Sequence, residues 1–212
     1  MEIISKYSKD LELALLMLDR DLAEEIFVNA TKQSSPIEVA GQLISATLKS
    51  IGEAWEEGRI SLSQEYMSGI ICEELIDKML PPTSSDRISQ PRMAIAVFED
   101  YHMLGKRIVL STLRASGYNL IDLGGGVTTE QVLEAVEREN IKILLLSVLM
   151  LPSALRIKEL KQKLEKTEVK IIVGGAPFRF DEDLWKEVGA DAVGKDSSEA
   201  IEIVARMMEE LK

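Results

Sequence analysis

The single histidine of this 212-residue chain, His102, stands close to an aspartate in a short polar segment, and this pair could do chemistry. Asp100 and His102 are two residues apart, so in a non-helical segment both side chains point to the same side. A carboxylate that accepts from one imidazole nitrogen fixes the tautomer and leaves the other nitrogen free as a base or a metal ligand. Gly105 leaves room for something bulky against the backbone. On its own, the motif also fits a surface histidine beside a capping aspartate.

Two further segments could contact a ligand. Ser147 and Leu149 stand where an apolar run ends, so the serine could donate a hydrogen bond to a ligand and the leucine could pack on it. Gly174 and Gly175 end another apolar run, and two residues without side chains permit the close approach of a flat ligand. Taken singly, these features also fit a satisfied polar group and an ordinary strand-to-helix turn.

The glycine run at positions 124–126 does not complete a dinucleotide fingerprint. It follows the second predicted strand rather than the first, and Thr129 occupies the position of the third glycine in Gly-x-Gly-x-x-Gly. We therefore expect neither a nicotinamide nor a flavin dinucleotide site.

Strand-like and helix-like segments alternate after residue 91, and they predict how these residues are positioned. The predicted strands are 92–98, 119–124, 142–150, 169–175 and 191–195, and the helices between and after them are 104–116, 129–139, 153–165, 181–188 and 197–212. Strands that are apolar on both faces and alternate with helices indicate a parallel sheet covered on both sides. The pattern predicts a Rossmann-like (flavodoxin-like), five-stranded parallel sheet, in which ligands bind outside the carboxyl ends of the strands.

The first 80 residues have a purely helical pattern. Apolar residues recur at helical spacing from Val39 to Trp55, and Ser35 followed by Pro36 is a good start signal for that helix. We predict a four-helix bundle over residues 1–80, a linker at 81–91 because that stretch holds three prolines and three serines, and a ligand-binding domain at 92–212.

Composition narrows the classes of partner. The formal net charge is −11, which argues against nucleic acid and anionic membranes as partners. The lone cysteine, Cys72, excludes an intramolecular disulfide framework and a CxxC metal pair. The start of the chain lacks the features of a signal peptide, and no stretch reaches about 18 uncharged apolar residues. We expect a cytoplasmic protein that does not bind membranes or nucleic acid.

Taken together, the motifs resemble a known signature. Three of them stand in the order and spacing of the base-off, His-on cobalamin-binding signature, namely Asp100-x-His102-x-x-Gly105, Ser147-x-Leu149 and Gly174-Gly175. The preceding segment AWEEGRISLSQEYMSGIICEELI resembles the helical half of the same proteins. The chain thus resembles the corrinoid proteins of cobamide-dependent methyltransferase systems, small methyl carriers related to the cobalamin module of methionine synthase.

The resemblance implies a role for each residue. His102 would be the lower axial cobalt ligand of cobalamin or a related corrinoid, and Asp100 would be its hydrogen-bond partner, with Met103 and Gly105 contacting the cofactor from the same loop. The remaining contacts would come from Ser147 and Leu149 in the slot for the nucleotide tail, Gly174 and Gly175 where the tail passes the backbone, and Trp55, Tyr66 and Met67 of the helical domain at the upper face of the corrin. An aromatic or methionine residue at helical spacing is more often part of a helical core, and these last three also fit that interpretation.

The resemblance also implies a function. The chain would shuttle a methyl group, through Co(I) and methyl-Co(III), between a substrate:corrinoid methyltransferase and a methyl-acceptor methyltransferase, with a reductive activase as a further partner. On this interpretation it is not a complete enzyme alone, and the methyl donor is left open. The alternatives are a cobalamin sensor or storage module, although no basic helix-turn-helix precedes the bundle, and a Rossmann-like domain without a cofactor. The chain departs from the family at Glu99, usually glycine, and at Tyr101, usually a small β-branched residue.

Overall fold

The computed structural model describes residues 2–80 and 84–211, with side chains from Lys6 onward, and divides into two compact units. The first unit comprises Met1–Gln90 and Ser111–Asn119, and the second comprises Pro91–Leu110 and Leu120–Lys212.

The first unit is helical. Its elements are α1 Glu2–Leu16, α2 Arg20–Thr31, α3 Pro36–Glu38, a π-helical stretch Val39–Ile44, α4 Ser45–Glu56, α5 Leu62–Met79 and α6 Ser85–Ile88. Because α3, the π-helical stretch and α4 follow one another without a break, the predicted four helices are present over residues 2–79. The N-cap of α5 illustrates the local cause: Ser61 Oγ accepts from the Gln64 N–H at 3.2 Å, and Gln64 Oε1 accepts from the Ser61 N–H at 3.0 Å.

Part of the predicted linker, residues 81–83, lies outside the described residues. The part that follows contains α6, and Arg87 is buried and donates to Asp77 Oδ1 at 2.6 Å and to the Arg114 carbonyl at 2.8 Å. The Gln90 side chain donates to the Gly117 carbonyl at 2.9 Å. Residues 87–90 are therefore fixed to the first unit, and the role of 81–91 as an interdomain linker stays a prediction.

The second unit is built on a parallel sheet. Its strands are β1 Met93–Phe98, β2 Leu120–Val127, β3 Ile143–Ser147, β4 Lys170–Gly174 and β5 Ala192–Gly194. The helices that begin in it are α7 Met103–Ala115, α8 Thr129–Glu139, α9 Leu151–Lys163, α10 Ala176–Phe180, α11 Leu184–Glu187 and α12 Ser197–Glu210. The strand order is β2-β1-β3-β4-β5 and every pairing is parallel. This confirms the predicted five-stranded Rossmann-like sheet.

The ends of β2 and β3 each differ by three residues from the predicted ends, for one reason. β3 stops at Ser147 rather than at Met150, because the backbone N–H groups of Leu149 and Met150 donate to a carboxylate of the loop after β1. β2 continues to Val127 because the same loop pairs with it: the Gly126 N–H donates to the Asp100 carbonyl at 2.7 Å. Loop contacts that the sequence pattern does not encode therefore decide both boundaries.

The predicted helix over 181–188 is only partly present, as the four-residue helix α11. The chain forms α10 directly after β4, then turns and forms the short helix α11. The turn at Asp181 explains the break, since its backbone leaves the helical region with φ −128° and ψ 104°. Among the described residues, no helix is long and apolar enough to cross a membrane.

Candidate functional site

The loop after β1 is organised around a buried carboxylate. Asp100 is 4% exposed, and its Oδ1 accepts from the backbone N–H of Tyr101 at 2.6 Å and of His102 at 3.2 Å. Its Oδ2 accepts from the N–H of Leu149 at 2.8 Å and of Met150 at 3.1 Å, at the start of α9. One side chain therefore joins the ends of two neighbouring strands.

The His102 ring completes this arrangement, because its Nδ1 lies 2.6 Å from Asp100 Oδ1. Burial opposes ionisation of Asp100, but hydrogen bonds from the His102 ring and from the amides of Leu149, His102 and Tyr101 outweigh it and lower the pKa of Asp100. A carboxylate only accepts, so Nδ1 must carry the proton. The lone pair then lies on Nε2, and the His102 side chain is 62% exposed.

The residues of the other two motifs lie at the same edge of the sheet. Ser147 is the last residue of β3 and pairs with Gly174, the last residue of β4. Gly105 lies in the first turn of α7, and a Cβ built on it would be 4.0 Å from Ser147 Oγ. Leu149 is exposed. Because the carboxyl ends of parallel strands meet here, the second unit places these residues beside Asp100 and His102, at the edge where ligands bind in such sheets.

Gly175, the first residue after β4, lies against the loop that follows β3. Its φ is +118°, and a Cβ at this position would collide with the carbonyl oxygen of Val148. A Cβ on Gly174 would lie 3.0 Å from the Gly194 carbonyl oxygen. The ends of β3, β4 and β5 therefore approach each other so closely that these positions accept no side chain without a shift of the backbone.

Tyr101 and Met103 flank His102, and their side chains pack against the glycine run of β2. The Tyr101 ring fits against Gly126 and the Met103 sulfur against Gly125, where a Cβ would overlap each of them. Tyr101 nevertheless remains 81% exposed.

Three of the predicted site residues belong to the first unit. Trp55 lies in α4, Tyr66 and Met67 lie in α5, and all three are half-buried. Their role at the upper face of a corrin stays a prediction.

The sequence analysis did not identify an ion pair next to the motif. The fully buried Lys106 donates to the Asp122 carboxylate, which is 36% exposed and also accepts from the Gly124 N–H at 2.8 Å. The pair joins α7 to β2 and holds the turn into the glycine run. The available signal was Asp122, a charged residue in a predicted apolar strand, although the buried member that needs a partner is Lys106.

The comparisons with known proteins decide the family. Residues 93–205 match a family model described as B12 binding domain, and residues 7–79 match a second model with the same description. Monomethylamine corrinoid protein 1 of Methanosarcina mazei is 32% identical over 186 residues, which cover 82% of this chain and 84% of the relative. The chain belongs to the B12-binding corrinoid proteins. Its cofactor is cobalamin or a related corrinoid.

A further relative and two solved structures are also similar to this corrinoid protein. Trimethylamine corrinoid protein of Methanosarcina barkeri is 28% identical over 211 residues, which cover 94% of each chain. The solved structure of Methanosarcina barkeri monomethylamine corrinoid protein has a TM-score of 0.56 at 28% identity and covers 98% of this chain and 99% of that one. A cobalamin-binding protein of Desulfitobacterium hafniense has a TM-score of 0.75 at 24% identity, covers 92% of this chain and 96% of that one, and shows the shared fold.

The edge of the sheet suits such a cofactor. His102 could supply a nitrogen ligand to the cobalt of such a cofactor, because its side chain is exposed and Asp100 holds its Nδ1 proton. Gly174 and Gly175 would let a long nucleotide tail lie against the backbone, because they leave the end of β4 without side chains. The residues present therefore fit the group.

Replacement of Gly175 by alanine is expected to lower the free energy of unfolding by about 3 kcal/mol or more, because the methyl group meets the Val148 carbonyl and φ is unfavourable. Gly124→Ala is the matched control. Its φ is also positive, at +89°, but nothing lies within 4 Å of the added carbon, so the cost is about 1 kcal/mol. Urea unfolding measures both, and equal effects would argue against the close approach at Gly175.

Asp100→Asn is expected to lower the free energy of unfolding by about 1–3 kcal/mol at neutral pH, because the backbone N–H groups lose an ionised acceptor. The pKa of Asp100 is lowered from 3.8 in the folded state. The stabilisation by wild-type Asp100 is therefore complete above pH 3.8 and is lost as the pH falls through the lowered pKa. Urea unfolding of both proteins at a series of pH values measures the difference in their free energies of unfolding. This difference must become smaller only at acid pH.

Proposed function

We propose that this corrinoid protein is a methyl carrier that binds its cofactor base-off, with His102 in place of the cofactor's own base. The observation that supports this is the 2.6 Å contact between His102 Nδ1 and Asp100 Oδ1. It commits the proton of the imidazole to Nδ1 and directs the Nε2 lone pair outward, from the edge of the sheet where ligands bind.

In this proposal Asp100 orients and tunes the ligand. A carboxylate hydrogen-bonded to a ligating imidazole raises the basicity of the ligand, and loss of such a partner costs about 10- to 100-fold in metal affinity or activity. The lowered pKa of Asp100 keeps it ionised, so the hydrogen bond to His102 is charge-assisted. The two amides of Leu149 and Met150 stop the carboxylate from rotating away.

The nucleotide tail is assigned to the surface of the loops after β3 and β4. The Ser147 hydroxyl and the exposed Leu149 side chain supply a polar and an apolar contact, and Gly174 with Gly175 leave the backbone free of side chains. Burial of the long tail against these strand ends supplies much of the binding free energy for the cofactor.

When bound, the corrinoid supplies the chemistry, since its cobalt takes up a methyl group and gives it up again. The protein supplies ligation and orientation, and the proposal assigns methyl loading and unloading to a substrate:corrinoid methyltransferase and a methyl-acceptor methyltransferase, with a reductive activase to restore the reduced cofactor. The names of the relatives favour methylated amines as the donor class.

The ligand assignment is testable because the chain contains one histidine. In protein labelled with ¹⁵N-histidine and loaded with cobalamin in the Co(II) state, the electron paramagnetic resonance spectrum is expected to show the doublet splitting of a ¹⁵N axial ligand. The triplet of ¹⁴N would persist if the cofactor's own base stayed on cobalt. His102→Ala must abolish the doublet, and a triplet in the labelled wild-type protein would refute His-on binding.

Methyl transfer tests the carrier role. The reduced, cobalamin-loaded protein is expected to be methylated by a monomethylamine methyltransferase with monomethylamine, or by a trimethylamine methyltransferase with trimethylamine, as followed by its absorption spectrum. His102→Ala should lower the rate by 10-fold or more, in the range reported for loss of groups that tune a metal ligand. Failure with both enzymes would overturn the methylamine donor class without affecting the ligand assignment.

A further inference from the structure

Glu99 has a backbone conformation that is unusual for its residue type. It is the first residue after β1 and has a φ of +47°, the left-handed region that side chains with a Cβ adopt only at a cost. Such a conformation persists where other contacts of the residue compensate its cost, and the contacts of the Glu99 side chain are the candidates.

Every polar group of Glu99 has a partner on a neighbouring element. Its N–H donates to the Val127 carbonyl at 3.1 Å, and its own carbonyl accepts from Ser153 Oγ at 2.9 Å. The carboxylate accepts from Arg156 Nε at 2.8 Å and from Thr129 Oγ1 at 3.4 Å. Glu99 therefore connects the end of β1 to β2, α8 and α9.

We propose that Glu99, through its ion pair with Arg156, is a positioning residue that fixes the direction of the Asp100–His102 pair. The inference deepens the proposed function, since it rests on His102 as the ligand. Glu99 immediately precedes Asp100, whose carboxylate accepts from the amides of Leu149 and Met150, just before α9. Arg156 lies on the same helix. The loop is thus tied to α9 twice, once through Asp100 and once through Glu99.

The burial of the two partners supports a role beyond a surface ion pair. The Glu99 side chain is 12% exposed, whereas the Arg156 side chain is 58% exposed. Loss of the arginine leaves a largely buried carboxylate with only the long hydrogen bond from Thr129. Such a carboxylate would move towards water, and the adjacent backbone of Asp100 would move with it. A rotation there changes where Nε2 of His102 points.

The test compares Glu99→Gln, Arg156→Gln and the double variant with wild type, and Lys158→Gln is the matched control because Lys158 is an exposed cation on the same helix. The readout is the ratio of histidine-bound to base-bound cobalamin, from the ¹⁵N doublet and the ¹⁴N triplet. Each single variant is expected to lower the ratio by about two- to fivefold, the range for an ion pair with one exposed partner. The double variant should show no further loss, and Lys158→Gln no change.

The variant Glu99→Gly separates the positioning role of the ion pair from the cost of the left-handed backbone conformation. It removes the unfavourable φ and the ion pair together, so thermal stability should be kept while the ratio still falls by two- to fivefold. A wild-type ratio in Glu99→Gly or in Arg156→Gln would overturn the proposal.

A second readout uses the protein without cofactor and separates this inference from the proposed function. In ¹⁵N-histidine protein, the rate of exchange of the His102 Nδ1 proton with solvent reports the population of the bond to Asp100. This rate should rise about two- to fivefold in Glu99→Gln and Arg156→Gln and stay unchanged in Lys158→Gln. Faster exchange in the two variants together with no ¹⁵N doublet in wild type would keep the positioning role and reject His102 as the ligand, whereas unchanged exchange would reject the positioning role.

Discussion

The negative charge of Asp100 has to be compensated without water, and the geometry of the site follows from that requirement. A buried carboxylate is stable only when hydrogen-bond donors surround it. The donors here are two amides of its own loop, two amides at the start of α9 and the ring of His102. The same bonds end β3, orient the imidazole and fix the spacing between two strand ends. A single buried charge therefore connects parts of the chain that are about 50 residues apart.

The tightness of the strand ends and the exposure of His102 are complementary. Gly175 leaves no space for a side chain, whereas the His102 ring stands largely in solvent. A site for a small polar substrate would enclose its reactive group. An exposed imidazole beside closely packed strand ends instead suits a large cofactor that lies over the edge of the sheet, in agreement with the B12-binding family of the chain.

Much of this could be predicted from the sequence, because the decisive signals are local. Apolar runs alternate with amphipathic helices, which predicts the sheet, and the two-residue spacing of Asp100 and His102 places both side chains on one side of their loop. What could not be predicted depends on contacts distant in sequence. The end of β3 is decided by the donation of two amides to Asp100, and the charge of the buried Lys106 is compensated by Asp122 on β2. Periodicity within one segment contains no information about either.

Seven residues between Glu99 and Gly189 have a positive φ, and they fall into two groups with different causes. Three of them follow helices and close hydrogen-bonded C-caps, namely Gly117, Asn140 and Gly189. Four others lie in the second half of a strand or directly after one and close no helix C-terminus, namely Glu99, Gly124, Gly126 and Gly175. Left-handed residues without a C-capping role concentrate where a ligand or another backbone approaches closely. At Gly126 and Gly175 a Cβ would collide with a neighbour, whereas the Glu99 side chain has room on the side of α9, where it pairs with Arg156. A residue with a side chain can therefore occupy this left-handed position, because its contacts to α8 and α9 offset part of the backbone cost.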